Sequence, residues 1–299
     1  MRIARHLTLL LALLVVLPVW TAEAQLKKRV AVGRFEDRTG SGYHSLGEGV
    51  ADMLITALVK SGKFNVLERS EIERVIQEQQ FGSTFMVTPE TAPKVGQLLG
   101  VELFVIGSVT EFGVKDSKVS LGLSAFGGGV SKKTSRAVVD IRLVNTNTGE
   151  ILASETYEGE ESTTGLSVNV SDIDFSNMGS WSDTDIGVAT REAVDGCAGL
   201  ITENMGKVEW GGKVLKVNAD GTILIKPGSE GNVKPGMDFV IVRMGEDIKD
   251  PDTGLSLGAE EEKIAEIEIV EDALKGKAAK AKVTEGKGVK TGDLVREKK

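Results

Sequence analysis

The sequence has one cysteine and two histidines among its 299 residues, which excludes several common kinds of site. A single thiol can form neither an intrachain disulfide nor a zinc cluster of several thiolates. The formal net charge of −8 argues against non-specific nucleic-acid binding, because that binding requires a basic surface to neutralise phosphates. We therefore expect no nucleic acid among the partners of this chain.

Residues 1–24 have the three-part layout of a secretory signal peptide. Arg2 and Arg5 precede an apolar run over 7–19, and Ala22 and Ala24 are small residues at the third and first positions before the predicted cut. The alternative is a membrane anchor, but the apolar run is shorter than the roughly 20 residues that span a bilayer. We predict cleavage between Ala24 and Gln25 and export of the mature chain. With no cysteine near the cut, we predict no lipid attachment there.

Catalysis is restricted by the same scarcity of histidine and cysteine. Once the signal peptide is removed, a histidine-based triad or a cysteine–histidine pair would have to use His44, with Cys197 as the thiol. His44 falls in a Gly/Ser-rich loop, and Cys197 falls on the apolar side of a predicted helix. We predict no catalytic residue, no cofactor and no metal site. Four aspartates that could offer oxygen ligands do not follow a calcium-loop order: Asp172, Asp174, Asp183 and Asp185.

Residues 29–112 alternate apolar strands with amphipathic helices in the order strand, helix, strand, helix, helix, strand. This order predicts an α/β sandwich. Ser70 and Glu73 predict a capping box for the second helix. Thr88, followed by Pro89, predicts the start of the third helix, which Gly100 ends. Later in the chain, Asp183 or Thr184 is predicted to cap a further helix.

Between these helices the pattern changes to period-two alternation, which predicts β-strands. The apolar members of the alternation are Leu121, Leu123, Leu166, Val168 and Val170. Residues 145–150 read as a tight turn between two further strands.

From residue 207 onward, short glycine- and valine-rich strands predict a small barrel-like all-β domain. The expected organisation is a signal peptide over 1–24, an α/β domain over 25–206 and the β domain over 207–299. Glu260, Glu261 and Glu262 lie inside this last domain, and we expect them to form a solvated turn.

Several blocks occur here in one order: VAVGRFEDRTG, GVADMLITALVKSGKFNVLERSEIERVIQEQQ, GVELFVIGSVTEF and DIRLVNTNTGEILAS. From about Arg29 to Met205, the chain resembles the curli production assembly/transport component CsgG family. The resemblance implies a periplasmic α/β domain that forms a homo-oligomeric ring. Each subunit of such a ring sends two β-hairpins into the outer membrane to complete one barrel. It also implies a channel for secreted polypeptide, with periplasmic accessory proteins as partners, and not an enzyme.

The resemblance places the two membrane hairpins at 113–136 and 155–182. The five alternating apolar residues named above are then the candidates for facing lipid, since barrel strands alternate between lipid and lumen. The alternative is a pair of soluble, Gly/Ser-rich hairpins in the periplasm. Related channels carry a lipidated amino-terminal cysteine, which this chain does not have at the predicted cut. They also narrow at a loop after the first strand, where Tyr43 and His44 are the candidates here, with an ordinary loop tyrosine as the alternative.

Two other functions remain open from the sequence. One is a periplasmic scaffold without a pore, because related α/β domains occur in activators of cell-wall synthases and in flagellar assembly factors. The carboxy-terminal domain itself resembles the end domain of flagellar assembly protein T. The other is a nucleotide-binding enzyme, since Gly40 and Gly42 follow a strand and precede a helix, as in the Gly-x-Gly-x-x-Gly fingerprint of dinucleotide-binding folds. However, Ser45 stands where this fingerprint has its third glycine.

The acidity is concentrated in one segment. Residues 145–205 contain 12 acidic and one basic side chain, a net charge of −11. If the second hairpin lines a pore, repeated copies make the lumen acidic and favour cations.

Overall fold

The computed structural model describes residues 25–43, 45–78, 87–89, 91–119, 130–164, 181–249, 251 and 256–298. Within them lie a mixed sheet with helices on both faces and a separate closed barrel. The prediction of an α/β sandwich followed by a small all-β barrel is confirmed.

In the first part of the chain, the described residues form six strands and four helices. They are β1 (Arg29–Val32), β2 (Glu36–Asp37), α1 (Leu46–Ser61), β3 (Asn65–Val66), α2 (Arg69–Glu78), α3 (Ala92–Leu99), β4 (Leu103–Val119), β5 (Val130–Asn145), β6 (Ile151–Thr164) and α4 (Asp185–Asn204). The sheet order is β3-β1-β4-β5-β6, with β2 beside β4. The strands β1, β3 and β4 run parallel, whereas β4, β5 and β6 form an antiparallel meander.

Both faces of the sheet are packed because the first strands carry nearly continuous apolar runs, as buried parallel strands do. One face contacts α1 and α4 through a large core that includes Val105 of β4 and Val139 of β5. The other contacts α2 and α3 through a smaller cluster around Phe104 and Val144. The residues that alternate along β5 on the α1–α4 side are fully buried, as their period predicts: Ala137, Val139, Ile141 and Leu143.

The barrel is built from six strands: β7 (Gly212–Val217), β8 (Ile223–Lys226), β9 (Asp238–Lys249), β10 (Ser256–Ala273), β11 (Ala278–Gly286) and β12 (Leu294–Glu297). It closes in the order β10-β11-β8-β7-β12-β9. Its interior holds Trp210 and Phe239, whose ring centroids are 5.0 Å apart. Every neighbouring pair is antiparallel, which suits strands joined by short turns.

The sheet and the barrel meet at a buried ion pair. Glu102, which precedes β4, is 2% exposed, and its carboxylate accepts hydrogen bonds from three donors. They are the Arg29 backbone N–H at 2.6 Å, the Arg29 guanidinium at 2.9 Å and the Gly211 backbone N–H at 3.2 Å. Because Arg29 begins β1 and Gly211 precedes β7, this carboxylate joins the two sheets.

Two predicted helix starts are wrong. The third helix begins at Ala92 instead of Pro89, because the carbonyl of Thr88 accepts from the N–H groups of Thr91 and Ala92 and forms a turn first. The second helix begins at Arg69, so Ser70 lies inside its first turn and not at a capping position. The prediction for α4 is confirmed at Thr184, whose hydroxyl accepts from the Gly187 N–H at 3.2 Å.

The predicted turn at Glu260–Glu262 is also wrong, since these residues lie within β10 and are exposed. Glu261 pairs with Arg296 of β12 at 2.6 Å. Three consecutive glutamates fit a strand here because this part of β10 is exposed to solvent.

Candidate functional site

The antiparallel meander extends well past the helix-covered sheet. The last residues of β4 and β5 that belong to the large core are Phe112 and Ala137, which are cross-strand partners. Beyond them, pairing continues without interruption from Gly113↔Arg136 to Val119↔Val130, a further seven pairs. At about 3.4 Å per residue these pairs extend roughly 24 Å. We call residues 113–119 and 130–136 the arm.

An ionic network crosses all three strands where the arm leaves the core. The guanidinium of Arg136 contacts Glu111 of β4 at 3.2 Å, and Glu158 and Glu160 of β6 at 2.7 and 3.3 Å. These carboxylates are half exposed, so each pair alone contributes little to stability. One planar guanidinium thus contacts carboxylates on both neighbouring strands at the base of the arm.

Helix α4 holds β6 in place through close backbone contact. A Cβ atom at Gly159 would stand 1.9 Å from the carbonyl oxygen of Ala189, so only glycine permits this approach. Farther along β6, the hydroxyl of Thr163 donates to the carboxylate of Asp185 at 2.8 Å. The start of α4 is therefore bonded to the part of β6 that runs beside the arm.

The base of the arm also carries a cluster of three aromatic rings. Phe112 lies between Tyr43 and Trp181, with ring centroids 5.8 and 6.3 Å away in edge-to-face geometry. Trp181 is fully buried, and Tyr43 is half-buried. The loop before α1 is therefore packed against the point where the arm begins. No sequence motif signals this cluster, because its three residues are far apart along the chain.

Most of the other predicted site residues fall outside the described residues. They are Ala24, His44, Leu121, Leu123, Leu166, Val168 and Val170, together with Asp172 and Asp174. Gln25, the first residue after the predicted cut, is exposed, and its carbonyl accepts from the Asn232 side chain at 2.8 Å. Of the constriction candidates, the structure thus places Tyr43 alone.

Cys197 is buried in the core on α4, as the helical pattern predicts. Burial raises the pKa of its thiol to about 12, because a thiolate would lose its hydration there. A protonated thiol is neither a nucleophile nor a metal ligand. The structure thus gives this side chain a packing role.

We expect the native protein to resist thiol reagents at pH 8. The raised pKa cuts the thiolate fraction by roughly three orders of magnitude, since each pKa unit is a factor of ten. Because the folded protein holds the proton more tightly, this group contributes stability at neutral pH that is lost as the pH rises from about 9 towards 12. Ellman's reagent should react rapidly in 6 M guanidinium chloride and slowly without it, whereas equal rates would contradict the burial.

Across the described ranges, no group of three or more His, Cys, Asp or Glu side chains could hold a metal ion. Within the same part of the chain, no helix is both long and apolar enough to cross a membrane.

Comparison with known proteins gives partial matches. The chain is 30% identical over 138 residues to NMB1126/NMB1164 of Neisseria meningitidis serogroup B, whose name describes a lipoprotein. It is 28% identical over 176 residues to HfaB of Caulobacter vibrioides, whose name describes a transcription activator protein. These matches cover 44% and 50% of this chain, and the chain spans only 57% and 51% of the two relatives.

Among solved structures, lipoprotein GNA1162 from Neisseria meningitidis aligns over 60% of this chain and 99% of its own, at 12% identity and a TM-score of 0.35. The sequence profile of the curli production assembly/transport component CsgG family matches residues 18–224, which is more than half of the chain. This match includes the sheet, the arm and the first barrel strand, β7. The chain therefore belongs to the CsgG family.

Proposed function

We propose that this protein is a subunit of an outer-membrane secretion channel of the curli type. Copies of the chain assemble into a ring, and each copy contributes β-hairpins to one shared barrel. Unfolded polypeptide passes through this barrel, and accessory proteins meet the ring in the periplasm. Membership of the CsgG family supports the proposed channel, and the arm supports the proposed contribution of each copy to a shared barrel.

The arm is the single observation that carries the proposal. Seven cross-strand pairs continue past the last residues of the large core. β6 borders the arm on the β5 side, from Lys132↔Thr164 to Arg136↔Glu160, whereas no described strand pairs with residues 113–119 of β4 on its other side. An unpaired strand edge of this kind needs further strands or another cover beside it. Neighbouring copies in a ring supply those strands, and a closed barrel leaves no strand edge exposed to lipid.

The described arm is shorter than a membrane-crossing strand. A strand that crosses the bilayer in a barrel needs about 9–11 residues, and the described arm has seven on each strand. Residues 120–129 and 165–180 contain the proposed lipid-facing positions Leu121, Leu123, Leu166, Val168 and Val170. Within the proposal, the described arm is the stem that carries these residues to the membrane.

Transport through such a ring needs no covalent chemistry, so we propose neither a catalytic residue nor a cofactor. The proposed channel works by excluding lipid and leaving a wide aqueous path. The acidic segment over 145–205 contributes negative charge near the proposed second hairpin. We accordingly expect the lumen to favour cations, and an anion-selective channel would contradict this expectation.

We propose Tyr43, with His44, as the narrow point of the channel. Tyr43→Ala is expected to raise single-channel conductance, because the aromatic ring is removed from the proposed constriction. The ring also packs on Phe112, so the melting temperature should be measured alongside. A matched control is Val59→Ala, which removes an exposed apolar side chain from α1. Unchanged conductance in a folded Tyr43→Ala protein would overturn the constriction.

For the location of the mature protein, we propose the periplasmic side of the outer membrane, reached through cleavage after Ala24. The name of the Neisseria relative describes a lipoprotein, whereas the one cysteine in this sequence is the buried Cys197. We therefore propose attachment through the hairpins and not through a lipid. The intact mass of the purified protein should equal residues 25–299 alone, and an added diacylglycerol would contradict this.

Fractionation of cells that express the full chain tests the channel against the periplasmic scaffold. The channel requires detergent for release from the membrane fraction. Recovery as a soluble monomer after osmotic shock, or after a high-salt wash, would contradict the channel and support the scaffold.

A further inference from the structure

One face of the arm carries an exposed pair of lysines. Lys115 of β4, Thr134 of β5 and Ser162 of β6 are aligned across the three strands, and residues directly opposite each other in a sheet share a face. Lys132 precedes Thr134 by two residues, so it lies on the same face. Pairing runs without a register shift through all the described pairs of the arm. We call these four residues the lysine face, which is turned away from α1 and α4.

Charge is ordered along this face. Both lysines are exposed, and neither takes part in a salt bridge with any residue that the structure describes. The nearest carboxylates on the face belong to the network of Arg136, which follows Thr134 by two residues, or about 7 Å along the strand. One guanidinium and three carboxylates give that network a negative net charge, and it lies on the core side of both lysines. The face is therefore negative next to the core and positive beyond it.

Hydroxyl groups add hydrogen-bond donors beside the lysines. Thr134 Oγ1 and Ser162 Oγ lie 3.2 Å apart at an exposed position. One hydroxyl donates to the other, so one O–H remains free to donate to a ligand. Two ammonium groups and a hydroxyl on one face suit a ligand that offers anionic oxygen atoms.

The chain beyond the lysine face has the length of a membrane crossing. Lys115 and Thr134 are cross-strand partners, and the 18 residues of 116–133 lie between them, so each strand of the hairpin can extend up to nine residues farther. A strand that crosses a bilayer in a barrel needs about 9–11 residues. In the proposed channel, Lys115 therefore lies where the arm enters the bilayer.

The spacing of the proposed lipid-facing residues relates them to the same face. They follow the lysine face at even separations along their strands: Leu121 and Leu123 after Lys115, and Leu166, Val168 and Val170 after Ser162. Even separations place the residues of a regular strand on one face. These five residues lie outside the described ranges, and the alternation predicts that they continue the lysine face. Basic residues next to the core, followed by apolar residues, suit a membrane surface followed by acyl chains.

We propose that the lysine face binds the headgroup of an anionic phospholipid at the periplasmic surface of the outer membrane. The ammonium groups of Lys115 and Lys132 contact the phosphate oxygens, and the free hydroxyl of Thr134 or Ser162 donates to the same headgroup. This contact sets the depth to which the arm enters the bilayer. The inference rests on the proposed channel, because a membrane-inserted arm is what presents this face to lipid.

Energy transfer from tryptophan to lipid tests the headgroup site, since Trp181 lies at the base of the arm. The full mature chain in detergent micelles is titrated with phosphatidylglycerol that carries a pyrene-labelled acyl chain. A parallel titration uses phosphatidylcholine with the same acyl chain. We expect phosphatidylglycerol to bind roughly tenfold more tightly or better, because each lysine near an anionic membrane surface strengthens binding roughly fivefold.

Three variants assign this preference to the lysine face. Lys115→Gln/Lys132→Gln should abolish it, whereas Lys115→Arg/Lys132→Arg keeps both charges and should retain it. Lys60→Gln/Lys63→Gln removes two exposed lysines near the end of α1 and should leave it unchanged. The melting temperature of each variant shows that it is folded.

Equal binding of the two lipids by the wild-type protein would overturn the headgroup site, and so would a preference that survives in Lys115→Gln/Lys132→Gln. Displacement of phosphatidylglycerol by millimolar inorganic phosphate would overturn it as well, because the face would then be a general anion site. Electron micrographs of the same samples separate this inference from the channel. Rings without a lipid preference would overturn the headgroup site alone, whereas monomers that keep the preference would overturn the channel alone.

Discussion

Removal of the arm should convert the protein from a detergent-extracted to a soluble form without unfolding it. Lys115 and Thr134 are cross-strand partners, so replacing residues 116–133 with Asn-Gly joins them through a two-residue turn. The core ends at Phe112 and Ala137, and it is left intact. We expect the bulk of the shortened protein in the soluble fraction, because a ring whose subunits each lack one hairpin cannot close its barrel.

The melting temperature separates this effect from misfolding. It should change by no more than about 4 °C, which corresponds to roughly 1 kcal/mol for a domain of 150–250 residues. Val59→Ser removes an exposed apolar side chain from α1 and should leave membrane extraction unchanged. A folded, arm-shortened protein that still requires detergent would show that the arm is not the membrane element.

Glu102→Ala should be the most destabilising change at the junction of sheet and barrel. It leaves the guanidinium of Arg29, 12% exposed, without a carboxylate, and it removes the acceptor of the Gly211 N–H. Breaking a buried ion pair by removing one partner costs about 3–5 kcal/mol. We expect a loss of this size in the free energy of unfolding, measured by urea denaturation.

Two further variants identify the cause of that loss. Glu71→Ala breaks the exposed pair with Arg74 on α2, and it should cost less than about 1 kcal/mol. Adding Arg29→Ala to Glu102→Ala should recover part of the stability, because the unpaired buried charge is then gone. A loss below about 1 kcal/mol for Glu102→Ala would contradict the role assigned to this junction.

The elements with a strong local period were predictable from the sequence. The barrel strands are one case, since apolar side chains such as Ile223 and Ile225 alternate along short segments that glycine-containing turns separate. The buried face of α4 is another, because Ala193 and Cys197 recur at helical spacing. In both cases the position of a side chain follows from the residues next to it in the chain.

The contacts that define the candidate site depend instead on residues far apart in the chain. No local pattern marks Glu102 as a buried acceptor for both Arg29 and Gly211, because its partners are 73 and 109 residues away. The same holds for the packing of Tyr43 and Trp181 on Phe112. The start of α3 was mispredicted for a different reason, because Thr88 and Pro89 are equally suited to a turn and to a helix start.

The central claim is that copies of this chain form a ring with a pore. Negative-stain electron microscopy of the detergent-extracted full chain tests it most directly. We predict closed rings with a central stain-filled opening, and the arm-shortened variant should not form them. Detergent-extracted wild-type protein that appears only as separate monomers would contradict the channel.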